Sequence, residues 1–364
     1  MSDFCKYLSN HHRFEYDEYA PCCWINKKVN YTDPIKLKEY REWLDNITDW
    51  VPECNICQYR ESVGIESPRQ KSLIKYPDMF TGDLTNDDPV TYEFQINEIC
   101  NSACLSCSAH NSTTWMKYNN SIPIKDRSSI DINISTKTTH RFNIIKENFD
   151  FSNVSKITFL GGEPLKTNTH LEILSEITKH NDPKNIALTY TTNGSCAISD
   201  EILDIWKTFS RVMVSHSIDG IEEHFEYLRW PLNWNQFNNN LENLVKKKSP
   251  NINIGFNIVI SPFNIYYMDR YIEYTKGYGE INLLPSIGKI NNQSIPNSLK
   301  IKMMEKYKDN PEIVKYVFPF NISKYVTFMQ YIDKHDKKRN TNWKDVFPEI
   351  VEYFDISIPD TVFS

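Results

Sequence analysis

Residues 156 to 164 have the sequence KITFLGGEP, a short apolar run that ends at two consecutive glycines. The run predicts a strand over Lys156 to Leu160, and Gly161-Gly162 predicts a turn directly after it. The same order of strand, loop and helix recurs along the chain from about residue 91.

Five further segments have the length and pattern of strands, and helical stretches separate most of them. The strand candidates are Thr91 to Asn97, Ile186 to Thr191, Arg211 to Ser217, Asn253 to Ile260 and Glu280 to Leu284. The helix candidates are 170–179, 200–209 with Ser199 as N-cap, 236–247 and 266–276. Six strands alternating with helices predict an α/β protein with a parallel sheet, open or curled into a partial barrel. Chemistry in such sheets gathers at the carboxyl ends of the strands.

Glycine is scarce, with ten in 364 residues, and four of the ten directly follow a predicted strand. They are Gly161, Gly162, Gly194 and Gly220. Glycine at these positions lets a ligand approach the backbone, although tight turns alone would also use it.

Length and composition restrict the class of protein. A chain of 364 residues with 24% charged and 40% hydrophobic residues predicts two or three packed globular units and excludes a collagen, a coiled coil or a disordered chain. A formal net charge of −6 gives no global basic field, so we do not expect nucleic-acid binding. The short basic runs 246–248 and 337–339 are interpreted as solvated faces, with a docking patch as the alternative. No signal-peptide or membrane-span pattern is found, so we expect a soluble, cytoplasmic protein.

The nine cysteines are clustered. In a reducing compartment this clustering favours metal ligation or catalysis over disulfides. Cys100, Cys104 and Cys107 form a C-x3-C-x2-C array in the loop after the first predicted strand. Three thiolates from one loop can hold three irons of a [4Fe-4S] cluster and leave the fourth iron open. Zinc ligands or buried small side chains are the alternatives.

Four motifs in this order resemble the radical S-adenosylmethionine (SAM) enzymes. They are the three-cysteine array, Gly161-Gly162-Glu163-Pro164, Thr192-Asn193-Gly194 and Ser217-Ile218-Asp219-Gly220. The resemblance covers about residues 91 to 290 and implies a partial (β/α)6 TIM-like barrel. One departure is Ser106, where the family often carries an aromatic residue near the adenine.

The resemblance also implies cofactors and their contacts. The [4Fe-4S] cluster with its open iron would cleave SAM reductively to a 5′-deoxyadenosyl radical, which abstracts hydrogen from the substrate. Backbone at Gly161 and Gly162, together with Glu163, would bind the SAM ammonium. Ser217 would bind the ribose with Asp219 nearby, Arg229 would pair with the SAM carboxylate, and Asn193 would line the cavity. For Arg229 a solvated helix position is the alternative, and for Asn193 a simple turn.

A second group of cysteines lies near the N-terminus. Cys54 and Cys57 form a C-x2-C pair, and Cys5 with Cys22 or Cys23 can supply two more thiolates. The segment resembles the auxiliary-cluster module of the twitch and SPASM branches, which generally follows the barrel but precedes it here. We expect a second [4Fe-4S] cluster on Cys5, Cys22, Cys54 and Cys57, with structural zinc or no metal as alternatives. Cys23 and Cys196 are then expected to be small buried residues.

These expectations define an organisation and a function. Residues 1–90 form the cysteine-rich auxiliary module, 91–290 the radical SAM core, and 291–364 a helical C-terminal extension that packs on the barrel. The resemblance implies an oxidoreductase-type enzyme that oxidises or rearranges a small or sugar-like substrate, with flavodoxin or ferredoxin as electron donor. Modification of a peptide residue and a catalytically degenerate binding module are the alternatives.

Overall fold

The computed structural model describes residues 5, 7–22, 24–62, 64, 66–67, 69–70, 90–120, 127–286 and 288–356. These residues form one mixed α/β structure around a sheet of nine strands. The strands are β1 His11–Glu15, β2 Glu18–Ala20, β3 Val29–Asn30, β4 Val90–Gln95, β5 Val154–Phe159, β6 Ala187–Thr192, β7 Arg211–Ser217, β8 Ile252–Ile260 and β9 Glu280–Pro285.

The spatial order of the strands is β3-β2-β1-β4-β5-β6-β7-β8-β9. Strand β1 and strands β4 to β9 are parallel, whereas β2 and β3 are antiparallel to their neighbours. All six predicted strands are present, so the prediction of a parallel α/β sheet is confirmed. The edge strands β3 and β9 are not paired with each other in the described ranges, and the partial barrel stays a prediction.

Strands β1 to β3 were not predicted from the sequence. They contain five, three and two residues, too few for a clear alternation pattern. Strand β1 pairs in register with β4, with Phe14 opposite Phe94. The N-terminal segment therefore extends the central sheet, and the division of the chain at residue 90 stays a prediction.

Helices occupy the connections between the strands. They are α1 Tyr7–Asn10, α2 Pro34–Asp45, α3 Asn55–Ser62, α4 Thr113–Asn120, α5 Arg127–Asn148, α6 Thr169–Ile177, α7 Asp200–Trp206, α8 Glu222–Leu228, α9 Trp234–Lys247, α10 Met268–Thr275, α11 Asn297–Lys306, α12 Pro311–Val314, α13 Ile322–Arg339 and α14 Trp343–Val346. The predicted cap is confirmed, because the Ser199 side chain accepts a hydrogen bond from the Ile202 N–H. None of the described helices is long and apolar enough to cross a membrane.

Alternate side chains of the strands point to two different faces of the sheet. The outer face carries fully buried apolar side chains such as Phe94, Ile157, Tyr190 and Val214, which belong to the main hydrophobic core. His216 also lies on this face, with its ring 5.8 Å from that of Phe237 on α9. The inner face is polar and half-buried.

The residues after β9 are mainly helical, as predicted, and pack against the loop that follows β8. Phe263 in that loop contacts the rings of Phe328, Trp343, Phe347 and Phe354 at centroid distances of 4.9, 5.0, 5.1 and 5.7 Å. Aromatic contacts of this kind contribute about 0.5–1.5 kcal/mol each beyond their buried area. The C-terminal helices are therefore an integral part of the packed structure.

Candidate functional site

The three-cysteine array lies in the loop between β4 and α4, at the carboxyl edge of the sheet. Cys100 and Cys104 are buried and Cys107 is half-buried. The Ser102 hydroxyl oxygen lies 3.2 Å from the Cys100 sulfur and 3.3 Å from the Cys104 sulfur. Two of the three predicted cluster ligands thus flank a common polar atom.

The thiols of this loop occupy a low-dielectric environment. Burial raises the pKa of Cys100 to about 11 and that of Cys107 to about 12, and the Cys104 thiol contributes to both shifts. Such thiols stay protonated at neutral pH unless a positive centre stabilises the thiolates. A cationic metal group supplies that stabilisation.

Gly161 and Gly162 allow the backbone after β5 to lie directly against the start of the cysteine loop. The Gly162 N–H donates to the Asn97 carbonyl at 2.8 Å, and the Glu163 N–H donates to the Ile99 carbonyl at 2.8 Å. A Cβ atom at Gly162 would stand 2.4 Å from the Ile99 carbonyl oxygen, which no side chain can accommodate. Glycine is required here for backbone packing, whatever ligand it also admits.

Glu163 lies at the centre of the carboxyl edge and is 1% exposed. Its carboxylate accepts from the Thr192 hydroxyl at 2.7 Å, from the Asn193 N–H at 2.6 Å and from the Leu165 N–H at 3.2 Å. Burial raises its pKa, although these hydrogen bonds oppose the shift. The predicted ammonium ligand therefore also holds the ends of β5 and β6 together.

Arg229 is buried beside the cysteine loop, with 8% of its surface exposed, so the solvated alternative does not apply. Its Nη2 atom lies 3.2 Å from the Asp219 carboxylate and its Nη1 atom 3.6 Å from the Cys104 sulfur. Ser106 donates to the same Asp219 carboxylate at 3.4 Å. The Arg229 Nε atom is buried and has no hydrogen-bond partner among the described residues.

The other two predicted contact residues lie at the same edge of the sheet. The Asn193 side-chain amide donates to the Asn101 side chain at 3.0 Å and lies 3.8 Å from the Cys100 sulfur. Ser217 is the last residue of β7 and is half-buried on the inner face. The structure thus brings Glu163, Asn193, Asp219 and Arg229 around one loop.

The sequence did not indicate that the C-terminal helix α13 holds the cysteine loop in place. Arg339 donates to the Ala103 carbonyl at 2.7 Å, and the Tyr331 hydroxyl donates to the Leu105 carbonyl at 3.1 Å. The interpretation of run 337–339 as a solvated face is therefore wrong for Arg339, which is 9% exposed. It lies on the buried side of the last turn of α13, among the rings of Trp115, Tyr118 and Trp230.

The four predicted N-terminal ligands Cys5, Cys22, Cys54 and Cys57 line one common cavity, together with aromatic side chains and Arg69. The volume of this cavity is about 20 Å³, and the cavity is partly open to solvent. Burial raises the pKa of Cys54 to about 11, and the nearby Cys5 and Cys57 thiols contribute. Arg69 is fixed by a salt bridge to Glu61 at 2.5 Å. Cys23 lies outside the described residues, and Cys196 is half-buried.

The described side chains do not form a site for a single metal ion, since no three cysteine, histidine or acidic groups among them converge closely enough. An iron–sulfur cubane binds each thiolate through a different iron, so its ligands do not need to converge on one point. The chemistry of both cysteine groups, thiols gathered in a partly enclosed space, fits an iron–sulfur cluster.

No family model and no curated protein match this chain. The chain is similar to "Native anSMEcpe with bound AdoMet and Cp18Cys peptide", with 18% identity and a TM-score of 0.38 over 61% of each chain. It is similar also to "Native anSMEcpe with bound AdoMet", with 15% identity and a TM-score of 0.39 over 61% of this chain and 59% of the other. The chain thus spans less than two thirds of these structures. With TM-scores this low, the similarity establishes neither its fold nor its function.

Proposed function

We propose that this protein is a radical SAM enzyme whose [4Fe-4S] cluster is held by Cys100, Cys104 and Cys107. The observation that carries the proposal is the position of Arg229. A buried guanidinium lies 3.6 Å from the Cys104 sulfur, and its Nε atom has no partner in the described part of the chain. An unpaired buried donor is costly unless a ligand completes its hydrogen bonding.

The residues around the loop fit a ligand that carries an amino group, a carboxylate and a ribose, as SAM does. Arg229 offers a charge-assisted hydrogen bond to the carboxylate, while Asp219 keeps the guanidinium oriented. Glu163 and the backbone at Gly161 and Gly162 lie at the end of β5 and suit the ammonium. Ser217 offers a hydroxyl to the ribose, and Asn193 lines the space between.

When bound, the cluster and SAM supply a one-electron cleavage that yields a 5′-deoxyadenosyl radical able to abstract hydrogen from a substrate. The residues of the chain bind and orient SAM, and they shield the site from solvent. Helix α13 covers the cysteine loop, and the apolar outer layer excludes water from the other side of the sheet. This shielding is important because a reactive radical must react with the substrate before it reacts with solvent.

A second [4Fe-4S] cluster on Cys5, Cys22, Cys54 and Cys57 is part of the proposal. The shared cavity supports it, since four thiolates saturate a cubane and leave no open iron. Such a site transfers electrons or stabilises structure. Zinc would require four sulfurs at about 2.3 Å from one ion.

The proposed reaction is oxidation or rearrangement of a small or sugar-like substrate in the cytoplasm. Flavodoxin or ferredoxin would supply electrons one at a time. A peptide substrate is the second candidate, and the half-buried inner face of the sheet is open to either.

The proposal is tested with protein reconstituted anaerobically with iron and sulfide. Addition of SAM and dithionite should release 5′-deoxyadenosine, and Cys104→Ala should release none. In Arg229→Lys, which keeps the charge but not the planar fork, SAM should bind about tenfold more weakly at unchanged iron content. Arg270→Ala removes an exposed arginine and serves as control. Fully loaded protein that neither binds nor cleaves SAM would overturn the proposal.

A further inference from the structure

The inner face of the sheet is polar across strands β5 to β8, which is unusual for a parallel sheet. Parallel sheets normally bury apolar side chains on both faces. Here the outer face follows that rule, whereas the inner face carries half-buried polar side chains at alternate positions of β5, β6 and β7. Polar groups kept at this position lower the stability of the sheet, and a ligand that pairs with them would explain their presence.

Four hydroxyl-bearing residues form the centre of this face, which we name the hydroxyl patch: Thr158, Thr189, Thr191 and Ser215. The register places Thr158 opposite Thr189, and Thr191 opposite Ser215. All four are half-buried. None of their hydroxyls has a hydrogen-bond partner among the described residues, in contrast to Thr192 and Thr167 close by, which are both bonded.

The spacing within the patch follows from the sheet. Neighbouring strands lie about 4.8 Å apart, and residues two positions apart on one strand lie about 7 Å apart. The four hydroxyls therefore occupy a two-dimensional array about 10 Å wide. Ser217 lies at its upper edge, where the proposed ribose contact is made.

Charged groups of the inner face flank the patch and do not lie within it. Arg13 pairs with Glu93 at 2.5 Å and with Glu15 at 3.4 Å, on the β1 and β4 side. Lys156 lies two positions before Thr158 on β5, Glu93 lies opposite Thr158, and Arg211 is the first residue of β7. The hydroxyl patch itself is therefore uncharged, and charged side chains border it on two sides.

Each hydroxyl both donates and accepts one or more hydrogen bonds. An apolar ligand would leave the four groups buried and unpaired. An extended peptide presents side chains on one side along a single line, about 7 Å apart, and would match only Thr189 and Thr191 along β6. A compact molecule with several hydroxyls of its own matches both rows.

We infer that the substrate of this site is a polyhydroxylated molecule of the size of a sugar, bound by Thr158, Thr189, Thr191 and Ser215. The inference rests on the proposed function, because it assigns the substrate class of that same site. The inference adds residues on the inner face of the sheet to the proposed SAM contacts at its carboxyl edge. Met213 continues the row of Thr158 and Thr189 and offers an apolar contact to the C–H groups of a sugar ring.

The test is saturation-transfer NMR and titration of anaerobically prepared full-length protein with defined probes. The probes are glucose, galactose, N-acetylglucosamine, myo-inositol and the blocked peptide acetyl-Ala-Ser-Cys-Ala-amide, each with and without SAM. At least one neutral sugar or inositol should bind, and the double variant Thr189→Val with Ser215→Ala should weaken that binding about tenfold. Thr158→Val is an independent variant on the neighbouring strand β5, and exposed Thr208→Val is the matched control.

The outcomes separate this inference from the proposed function. Binding of none of the sugars or inositol, binding of the peptide alone, or sugar binding unchanged in both patch variants would overturn the substrate class. SAM affinity should remain unchanged in these variants, because the patch lies below the SAM contacts. If the wild type binds a sugar through the patch but never binds SAM, the proposed function fails while the patch assignment stands.

Discussion

Arg339 donates a hydrogen bond from Nη2 to the carbonyl oxygen of Ala103 at 2.7 Å, across 236 positions of the chain. Ala103 lies between two of the proposed cluster ligands, and Arg339 is in the last turn of helix α13. The contact therefore couples the geometry of the cysteine loop to the packing of the C-terminal helix.

Arg339→Ala should loosen the cysteine loop. The change leaves the Ala103 carbonyl buried without its donor, which costs about 1–3 kcal/mol of folding stability. The reconstituted variant should retain less iron than the wild type, as measured by chemical iron content and by absorbance of the cluster. It should also unfold at a lower temperature. Arg339→Lys keeps the charge without the planar fork and should give an intermediate result.

Arg270→Ala is the control, since Arg270 pairs with Glu222 at 3.4 Å on an exposed surface. Exposed pairs of this kind contribute about 0–1 kcal/mol. If Arg339→Ala retained as much iron as the wild type, helix α13 would not hold the cysteine loop in place.

The sequence alone was sufficient to predict the part of the fold in which strand, loop and helix repeat. Six strands with apolar outward positions, three of them followed by glycines, were correctly predicted, because periodicity and turn residues act locally. Strands β1 to β3 were missed because a two-residue strand such as β3 exists only through its pairing with β2, a contact that local sequence does not encode.

The carboxyl-edge residues were predictable as motifs, but their partners were not. Gly162 followed from its place after a strand, whereas its need to accommodate the Ile99 carbonyl depends on two chain segments more than 60 positions apart. The role of Arg339 could not be predicted from the sequence, since only the packing of α13 turns one residue of a basic run inward. The pairing of Asp219 with Arg229 likewise appears only in three dimensions.

Gly162→Ala should destabilise the protein strongly. Its Cβ would stand 2.4 Å from the Ile99 carbonyl oxygen and 2.7 Å from the Glu98 carbonyl carbon, so the start of the cysteine loop must move. Overpacking of this kind costs about 1–3 kcal/mol, measured by urea unfolding of the protein without metal. Gly277→Ala is the matched control, because nothing lies within 4 Å of its Cβ position. Equal stability of the two variants would contradict the close backbone packing.

Acid should weaken the attachment of helix α13 through His335. Burial, reinforced by Arg339 and nearby lysines, lowers the pKa of His335 from 6.5 to about 3. The unfolded chain therefore binds the proton first, and the stability contributed by neutral His335 is complete above pH 6.5 and is lost as the pH falls toward 3.

His335→Gln should reduce this acid sensitivity, because glutamine can still accept from the Tyr118 hydroxyl, which lies 2.7 Å from the His335 Nδ1 atom. The wild type should lose at most about 1.4 kcal/mol more per pH unit than the variant between pH 6.5 and 5. Urea unfolding at both pH values measures this difference. Exposed His180→Gln should behave as the wild type, and a variant as acid-sensitive as the wild type would remove His335 from this role.

The N-terminal cysteines should account for half of the bound iron. Two [4Fe-4S] clusters give about eight irons per chain, and Cys54→Ala with Cys57→Ala should leave about four. The remaining cluster should still support SAM cleavage to 5′-deoxyadenosine, because its ligands lie in a separate loop. Cys196→Ala is the control, since the half-buried Cys196 belongs to neither group. About four irons and one zinc in the wild type would assign zinc to the N-terminal cavity, and no loss of metal in the double variant would leave Cys54 and Cys57 as ordinary buried thiols.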